Sequence, residues 1–573
     1  MKKLLKYIKG YEKETVLGPL FKLCEASLEL IVPLVVASVI DRGIKGQDTR
    51  HTVIMCIVLA LLGLVGLGFS VTAQYFAAKA SVGFVTKMRS GLFSHIQGLS
   101  CADIDRLGTS AMITRMTADT SKVQSGLNLA LRLLLRSPFV VFGAMIMAFT
   151  IDSSAGGVFA LVIPALSIIV FGIMLITTPL YKKVQGGVDK ILHRTRDNLS
   201  GVRVIRAFGK ESDQSERFRG ENDILTVAQK KAGQLSALLN PLTYIVINLG
   251  IILLIYTGAL KVDLGDLTQG QVIALYNYMS QILVELIKLA NLIVSITKAL
   301  ASASRIAAVF EITPSLEYGS KDDGDGSDYA VEFNRVSLRY SGAGDYSLRD
   351  INLKAKKGEV IGIIGGTGSG KTSLVNLIPG FYAATDGEVK INGSCVSEYT
   401  RESLLSKIGI VPQNAVLFSG SIRDNMRWRS SNASDEEIIK AIEISQSSDT
   451  VMQKGGLDAV INAKGKNLSG GQRQRLTIAR ALVGDPDIII LDDSDSALDY
   501  ATNLKLRQAI SRELDEKTVF IVSQRTASVM HADKIAVLDD GEMVGLGTHS
   551  ELLADCEVYK EIYESQFKKE AGV

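Results

Sequence analysis

Gly358-Glu-Val-Ile-Gly-Ile-Ile-Gly-Gly-Thr-Gly-Ser-Gly-Lys-Thr-Ser373 decides the fold of the second half of this chain. An apolar strand, Val360–Ile364, runs into Gly365-x-x-x-x-Gly370-Lys371-Thr372, and a helical pattern follows through Leu374 and Leu377. A strand, a glycine-rich turn and a helix in that order form a phosphate cradle, because the glycines let backbone N–H groups close around phosphate oxygens. The helix N-terminus adds partial positive charge. Gly365, Gly366, Thr367, Gly368, Ser369, Gly370, Lys371, Thr372 and Ser373 are therefore the expected nucleotide-binding residues. Lys371 is expected to reach the β- and γ-phosphates and Thr372 to hold Mg²⁺.

Downstream, Ile488-Ile489-Ile490-Leu491-Asp492-Asp493 is a continuous apolar run ending in two carboxylates. Such a run suits a strand buried on both faces of a parallel sheet. Its carboxyl end is where open α/β sheets place ligands. Asp492 fits a Mg²⁺-holding role, so the soluble half reads as an α/β nucleotide-binding domain.

The first half is different in kind. Six stretches, roughly 16–40, 52–78, 133–151, 156–180, 238–260 and 270–297, are apolar and long enough to cross about 30 Å of hydrocarbon. Basic residues gather at the N-terminus (Lys2, Lys3, Lys6, Lys9, Lys13), between spans two and three, and between spans four and five. That distribution puts both termini and two large extensions in the cytoplasm. The loop at 41–51 is mixed. Leu4, Leu5, Ile8 and Tyr11 share one helical face opposite lysines, a pattern expected of a helix lying at the membrane surface. The expected organisation is a membrane domain over 1–310, a linker over 311–330 containing the acidic, Gly-rich Lys321–Asp328, and a nucleotide-binding domain over 331–573.

Charges inside the spans are costly and must face protein or a wet cavity. Lys22, Glu25 and Glu29 share one face of the first span, and Glu285 and Lys288 are neighbours on the sixth. They read either as a polar translocation path or as mutual neutralisation between packed helices. Three Glu against two Lys leave an acidic lean, which favours cationic amphiphiles as cargo.

The whole chain has 573 residues, 47% of them hydrophobic, and its mean hydropathy is +0.22. That much apolar surface argues against a wholly soluble protein and against disorder. A net charge of +3 gives no electrostatic case for nucleic acid. The five cysteines contain no C-x-x-C pair, so neither a disulfide framework nor a zinc site is expected.

Leu468-Ser469-Gly470-Gly471-Gln472 resembles the signature of ABC ATPases. The other elements of that family are present in order. Tyr340 resembles the aromatic residue that stacks on adenine. Gln413, in Val-Pro-Gln-Asn, resembles the Q-loop glutamine, which is also a Mg²⁺ contact. Ser496-Ala497-Leu498-Asp499 resembles the D-loop. Asp197–Phe208 and Thr114–Asp119 resemble the coupling segments of the two cytoplasmic extensions. The resemblance implies an all-α six-span transmembrane domain plus an α/β P-loop ATPase domain of ABC type, with ATP and Mg²⁺ as ligands. It implies half of an exporter in the cell membrane, moving a small hydrophobic or amphiphilic substrate. In this family the signature is presented across a dimer, so Ser469, Gly470, Gly471 and Gln472 would serve ATP held by a partner's P-loop.

The chain departs from the family pattern at three places. The residue after the Mg²⁺-binding Asp is usually Glu, the presumed catalytic base, and here it is Asp493. The residue before Arg525 is usually His, and here it is Gln524, which cannot carry the proton that His can. His531 could be mistaken for the missing His but is expected to open the next short helical turn. Asn462-Ala463 stands where a Gly-Glu pair is common. Asp493 and Gln524 would share one composite site, which should bind ATP well and hydrolyse it slowly. The expectation is the degenerate-site subunit of a heterodimeric, multidrug-type exporter. The alternatives are a homodimeric exporter of lipid or peptide, or a nucleotide-gated channel or sensor.

Overall fold

The computed structural model describes residues 2–495, 499–514 and 516–567. Ser496–Leu498 of the expected D-loop thus lie outside the described residues. The chain forms two compact units, residues 1–97 with 110–312, and residues 98–109 with 313–573.

The first unit is helical. Six helical stretches, Glu12–Ile44, Thr49–Gln97, Thr109–Ile151, Ser153–Ser200, Glu211–Asp263 and Gln269–Phe310, are each long and apolar enough to cross a membrane. The helix Thr49–Gln97 alone has 49 residues. At 1.5 Å per residue it runs about 74 Å, well over twice the hydrocarbon thickness. The extensions seen in the sequence are therefore the same helices continued. Their core mixes small residues, among them Ala26, Ala144 and Ala148, with large ones such as Phe159, Leu166, Tyr278 and Met279. Small residues let helix backbones approach closely where no hydrophobic driving force acts between helices.

The N-terminus departs from expectation. Instead of one amphipathic surface helix, Lys2–Leu5 and the 3₁₀ turn Lys6–Ile8 are separate pieces. Leu4 is buried against Phe84, Met88, Leu92 and Ile306, and the Tyr7 ring lies 5.8 Å from that of Phe310. Leu5 points outward. A pocket between helix ends competes for Leu4 and Tyr7, and the single apolar face is split.

The second unit is α/β. Strands β1 (Tyr329–Leu338), β2 (Leu348–Lys356), β4 (Asp386–Ile391) and β5 (Ser394–Cys395) form an antiparallel sheet in the order β2-β1-β4-β5. A six-stranded sheet is built from β3 (Val360–Gly365), β6 (Ile408–Val411), β9 (Ile488–Asp492), β10 (Thr518–Val522), β11 (Lys534–Asp539) and β12 (Glu542–Gly547). Its order is β12-β11-β3-β10-β9-β6, parallel except for β12. A short pair, β7 (Gly420–Ser421) with β8 (Val460–Ile461), completes the sheets among the described residues. Every residue of β9 is buried, as its apolar run requires.

The stretch expected as a solvated linker is tied down. The Lys321 backbone exchanges hydrogen bonds with Glu398 and Thr400 at 2.9 and 2.8 Å, and its ammonium reaches Glu398 at 2.8 Å. Lys407 pairs with Asp323 at 2.7 Å. The acids meet bases supplied from far along the chain, which composition alone does not reveal. The strand β1 begins at Tyr329, two residues before the expected boundary.

Residues 98–109 also belong to this second unit. Helix Cys101–Leu107 starts on a capping box between Ser100 and Asp103. Asp103 accepts the Ser315 N–H at 3.0 Å, and the Tyr382 hydroxyl donates to Asp105. The stretch Thr114–Asp119, which resembles a coupling segment, lies in the helical unit. There Asp119 is buried and holds Arg305 by two hydrogen bonds at 2.5 and 2.9 Å. Helix Val202–Ala207 stays in the helical unit, and Leu199, Val204 and Phe208 around it are exposed.

Candidate nucleotide site

Three neighbouring strands bring the site together. The pairing register sets Ile363 of β3, Val522 of β10 and Asp492 of β9 side by side. The glycine-rich turn after β3, the carboxylates ending β9 and the Ser523-Gln524 segment after β10 therefore leave the sheet at one edge. They wall a cavity of about 420 Å³ whose lining includes Thr367, Lys371, Thr372, Gln413, Asp493 and Gln524.

The turn is glycine-dependent at two points. A Cβ on Gly365 would meet the Leu538 carbonyl at 2.1 Å. Gly370 has φ +96° and would meet the Ser347 carbonyl at 2.7 Å. Both are positions a side chain cannot occupy without strain. Gly368, Gly370 and Ser373 line the cavity, whereas Gly365, Gly366 and Ser369 lie behind Lys371. The Lys371 ammonium is buried and donates to the Gly365 and Gly366 carbonyls at 2.9 and 2.5 Å and to Ser369 Oγ at 3.3 Å. It is a fixed cation at the mouth of a backbone cradle.

Opposite it, Thr372 Oγ1 donates to Asp492 Oδ1 at 3.0 Å. Gln413 Nε2 donates to Asp493 Oδ2 at 3.4 Å, and Thr367 Oγ1 to Gln524 Oε1 at 3.4 Å. Asp493 adopts a left-handed backbone, φ 45°, and its N–H bonds the Val522 carbonyl at 2.9 Å. Burial pushes the Asp492 carboxyl above the usual carboxylate range, aided by the charge of Asp493 and opposed by Thr372 and Lys371. Burial likewise raises Asp493, with Gln413 opposing and Asp495 adding to the rise. Burial lowers Lys371, against the pull of both aspartates. Burial therefore disfavours the charged form of all three groups.

The donor set fits Mg²⁺. One hydroxyl, one or two carboxylates and an amide oxygen are hard oxygen ligands, and Mg²⁺ is usually held by one or two carboxylates plus substrate phosphates. No cluster of three or more His, Cys, Asp or Glu suited to a metal occurs among the described residues, so an all-protein cage is absent there.

One expected residue lies beside this cavity rather than on its lining. Tyr340 is outside the cavity lining. Its hydroxyl donates to Ser373 Oγ at 2.9 Å and its ring meets Tyr382 edge-on at 5.0 Å. Tyr346, in the same β1–β2 connection, lines the cavity instead, with the Arg339 guanidinium 5.4 Å from its ring. Both tyrosines flank one glycine-containing turn, and only the turn's path separates them. His531 is exposed and outside the cavity. Sequence reading also missed Asp495, which is buried, accepts from Ser523 and Ser528, and pairs with Arg507 at 3.6 Å. It fixes the residue beside Gln524.

The signature residues are not on this cavity either. Ser469 caps helix Gly470–Leu482. Its Oγ accepts the Gln472 N–H at 3.3 Å, and Gln472 Oε1 accepts the Ser469 N–H at 3.0 Å. Ser469 and Gly470 are exposed, and Gly471 is half-buried.

In the helical unit the intramembrane charges neutralise one another. Arg136, overlooked at the start of the third span's apolar run, donates to Glu29 at 2.5 Å and Glu285 at 2.7 Å. Ser137 and Lys288 each add a bond to Glu285 at 2.8 Å. Lys22 pairs with Glu25 and reaches Ser70 at 3.1 Å. With Arg136 included, three acids meet three bases, and the acidic lean disappears.

Comparison with known proteins gives a consistent result. Residues 15–286 match the family described as ABC transporter transmembrane region, and residues 348–496 match the family described as ABC transporter. The chain is 36% identical to an uncharacterized ABC transporter ATP-binding protein, YfiB, of Bacillus subtilis, over all of both chains. It is 29% identical to an ATP-dependent lipid A-core flippase of Syntrophus aciditrophicus, covering 99% of this chain and 95% of that one. Its fold matches a bacterial Atm1-family ABC exporter with ATP bound, with TM-score 0.82, 22% identity and coverage of 97% and 99%.

Proposed function

The chain belongs to the ABC transporter family, as a six-span membrane domain fused to an ATPase domain that couples ATP hydrolysis to transport, and from that premise we propose that it is the slow-site half of a heterodimeric exporter. Its place is a bacterial cell membrane, with both termini cytoplasmic. Its cargo is a hydrophobic or amphiphilic molecule.

The observation that carries the two-subunit reading is the separation of Ser469–Gln472 from the cavity lined by Lys371 of the same chain. Gly470 strengthens it. A Cβ there would meet nothing within 4 Å in this chain, so no local packing demands glycine. A demand from outside, such as a closely approaching phosphate, accounts for it. The exposed apolar residues Leu199, Val204 and Phe208 around helix Val202–Ala207 are a second surface awaiting a partner.

Within the site, Lys371 and the backbone of 365–370 would bind the ATP phosphates, and Thr372, Asp492 and Gln413 would hold Mg²⁺. Bound Mg²⁺ neutralises phosphate charge. Ser373 stays engaged with Tyr340, and Tyr346 offers the aromatic wall. Asp493 would position the attacking water and Gln524 would contact the γ-phosphate. Both substitutions sit on one cavity wall, which supports a site that holds ATP and turns it over slowly. An aspartate carries its carboxylate one methylene short of a glutamate, and a displacement near 1 Å costs on the order of 10²-fold in rate.

The test is to purify the chain alone and together with a half-transporter bearing Glu and His at these positions. The expected result is ATP binding by both preparations and rapid turnover only by the pair. Rapid turnover by the chain alone sinks the slow-site reading. A second reading, a lipid exporter formed by two copies, draws on the full-length likeness to a lipid A-core flippase. The same purification distinguishes it.

A further inference from the structure

We infer that the cavity between the fourth and sixth spans binds a single-chain anionic amphiphile, its head on Lys182 and Lys298 and its apolar tail on the stretch of wall one to three turns away. This deepens the exporter reading, on which it rests, by naming the class of cargo.

The cavity encloses about 960 Å³, at the top of the range of roughly 300–1,000 Å³ that small-molecule sites occupy. Its lining includes two lysines and no aspartate or glutamate. Neither lysine has an ion-pair partner among the described residues. Every carboxylate that the first and sixth spans place within the membrane is already engaged, Glu25 by Lys22 and Glu29 and Glu285 by Arg136. The two cations are therefore the uncompensated charge of this wall. A cationic guest would meet repulsion there.

The lining is also graded. On the fourth span, Val170, Ile173 and Met174 give way to Tyr181, Lys182 and Gln185. On the sixth, Ile293 and Val294 give way to Thr297 and Lys298. The two gradients run the same way. Lys261, which closes the fifth span, bonds Asp152 at 2.5 Å, so the starts of the fourth and sixth spans share one end. Lys182 and Lys298 lie equally far from those starts, roughly 44 Å at 1.5 Å per residue. That is beyond about 30 Å of hydrocarbon, at the depth of lipid headgroups on the side proposed as cytoplasmic. The apolar lining lies roughly one to three helical turns back toward the bilayer centre. Tyr181 shares its hydroxyl with Ser236 Oγ at 3.0 Å, which leaves further hydrogen-bonding capacity beside the lysines. A headgroup with negative charge and several acceptor oxygens, on one alkyl chain, satisfies both gradients. Such a molecule could enter from the inner leaflet or from the cytosol.

The test uses the full-length chain in nanodiscs of zwitterionic lipid and three probes with the same C14 tail: tetradecyl phosphate, tetradecylphosphocholine and tetradecyltrimethylammonium. The expected order is phosphate tightest and ammonium weakest, by at least about ten-fold, equivalent to roughly 1.4 kcal/mol. Lys182→Gln with Lys298→Gln should erase the order while ATP affinity stays unchanged, and Lys182→Glu with Lys298→Glu should reverse it. Lys230→Gln with Lys231→Gln, exposed lysines outside the cavity, should leave it intact. An ammonium probe that binds as tightly as the phosphate in the unaltered protein overturns the proposal, whether or not the variants fold. So does an anion preference that survives in the Lys182→Gln, Lys298→Gln protein. Adding the probe from solution or preloading it in the disc separates the two routes of entry, and the headgroup order must hold in the route that loads. If the order holds but inverted vesicles containing this chain together with a half-transporter bearing Glu and His at the positions of Asp493 and Gln524 show no ATP-driven accumulation of tetradecyl phosphate, the exporter reading fails and the binding class stands.

Discussion

Two sets of charge in this protein, each built around a buried member, behave in opposite ways. In the helical unit, Arg136, Glu29, Glu285 and Lys288 close on themselves, each carboxylate meeting a base at 2.5–2.8 Å. In the ATPase unit, Lys371 spends its hydrogen bonds on backbone carbonyls and Ser369, while Asp492 and Asp493 sit together with their carboxyls pushed up by burial. A set that satisfies itself is a structural joint. A set that leaves like charges together and a cation on carbonyl oxygens is arranged for something that arrives later, here a phosphate chain and a divalent cation.

The comparison can be broken most forcefully at Arg136. Arg136→Met leaves Glu29, which is half-buried, without a base and Glu285 with Lys288 and Ser137 only, and should cost about 3 kcal/mol, the low end of the penalty for breaking a buried pair. Thermal unfolding in detergent would register it, and adding Glu29→Gln and Glu285→Gln should restore most of the loss. No restoration would mean the joint is more than mutual neutralisation. Next in size is Asp493→Glu combined with Gln524→His. ATP turnover at this site should rise on the order of 10²-fold, about 2.7 kcal/mol of barrier. An unchanged rate in single-turnover assays would remove our reason for its slowness. Lys371→Ala should weaken ATP binding by about 1.5–3 kcal/mol, the worth of a hydrogen bond to a charged group, with little change in the unfolding temperature. A large stability loss instead would make Lys371 a joint like Arg136.

The smallest effect is the pH dependence. The folded-state carboxyls of Asp492 and Asp493 lie above the ordinary aspartate value of 3.8. Their contribution to the stability of the nucleotide-free fold is fully present below that value and is lost as pH rises through the raised folded pKa. Mg²⁺ needs the deprotonated forms, so Mg²⁺-nucleotide binding should weaken as pH falls through the same raised pKa. The increase in unfolding temperature given by a non-hydrolysable ATP analogue with Mg²⁺ should shrink on acidification. An increment that does not shrink at any pH above the ordinary aspartate value of 3.8 would contradict the raised carboxyls.

Much of the site was legible in the sequence because its parts are local. Gly365, Gly370, Lys371 and Thr372 lie within one turn and its helix, so spacing alone fixes their mutual geometry. Asp492 was legible because four buried apolar residues before it leave only one end for a carboxylate. Tyr340 was named from the family pattern alone, and that Tyr346 of the same β1–β2 connection lines the cavity depends on the path of that connection. Thr114–Asp119 resembles a coupling segment, and what its sequence did not reveal is that Asp119 is held by Arg305 within the helical unit. The segment that joins the ATPase unit is Cys101–Leu107, whose cue, the Ser100–Asp103 capping box, is common to any helix start.

The sequence by itself determined the two halves, the six spans, the phosphate cradle and the family, because each rests on hydropathy over about twenty residues or on motifs with fixed short spacing. Tertiary structure alone decided which charges neutralise one another. Arg136 meets Glu285 across 149 positions of chain, and the acidic lean that suggested cationic cargo vanished with that one pairing. It also decided which charges remain unspent, on the cavity wall at Lys182 and Lys298. Charge balance is a property of neighbours in space, and composition along the chain carries no record of it.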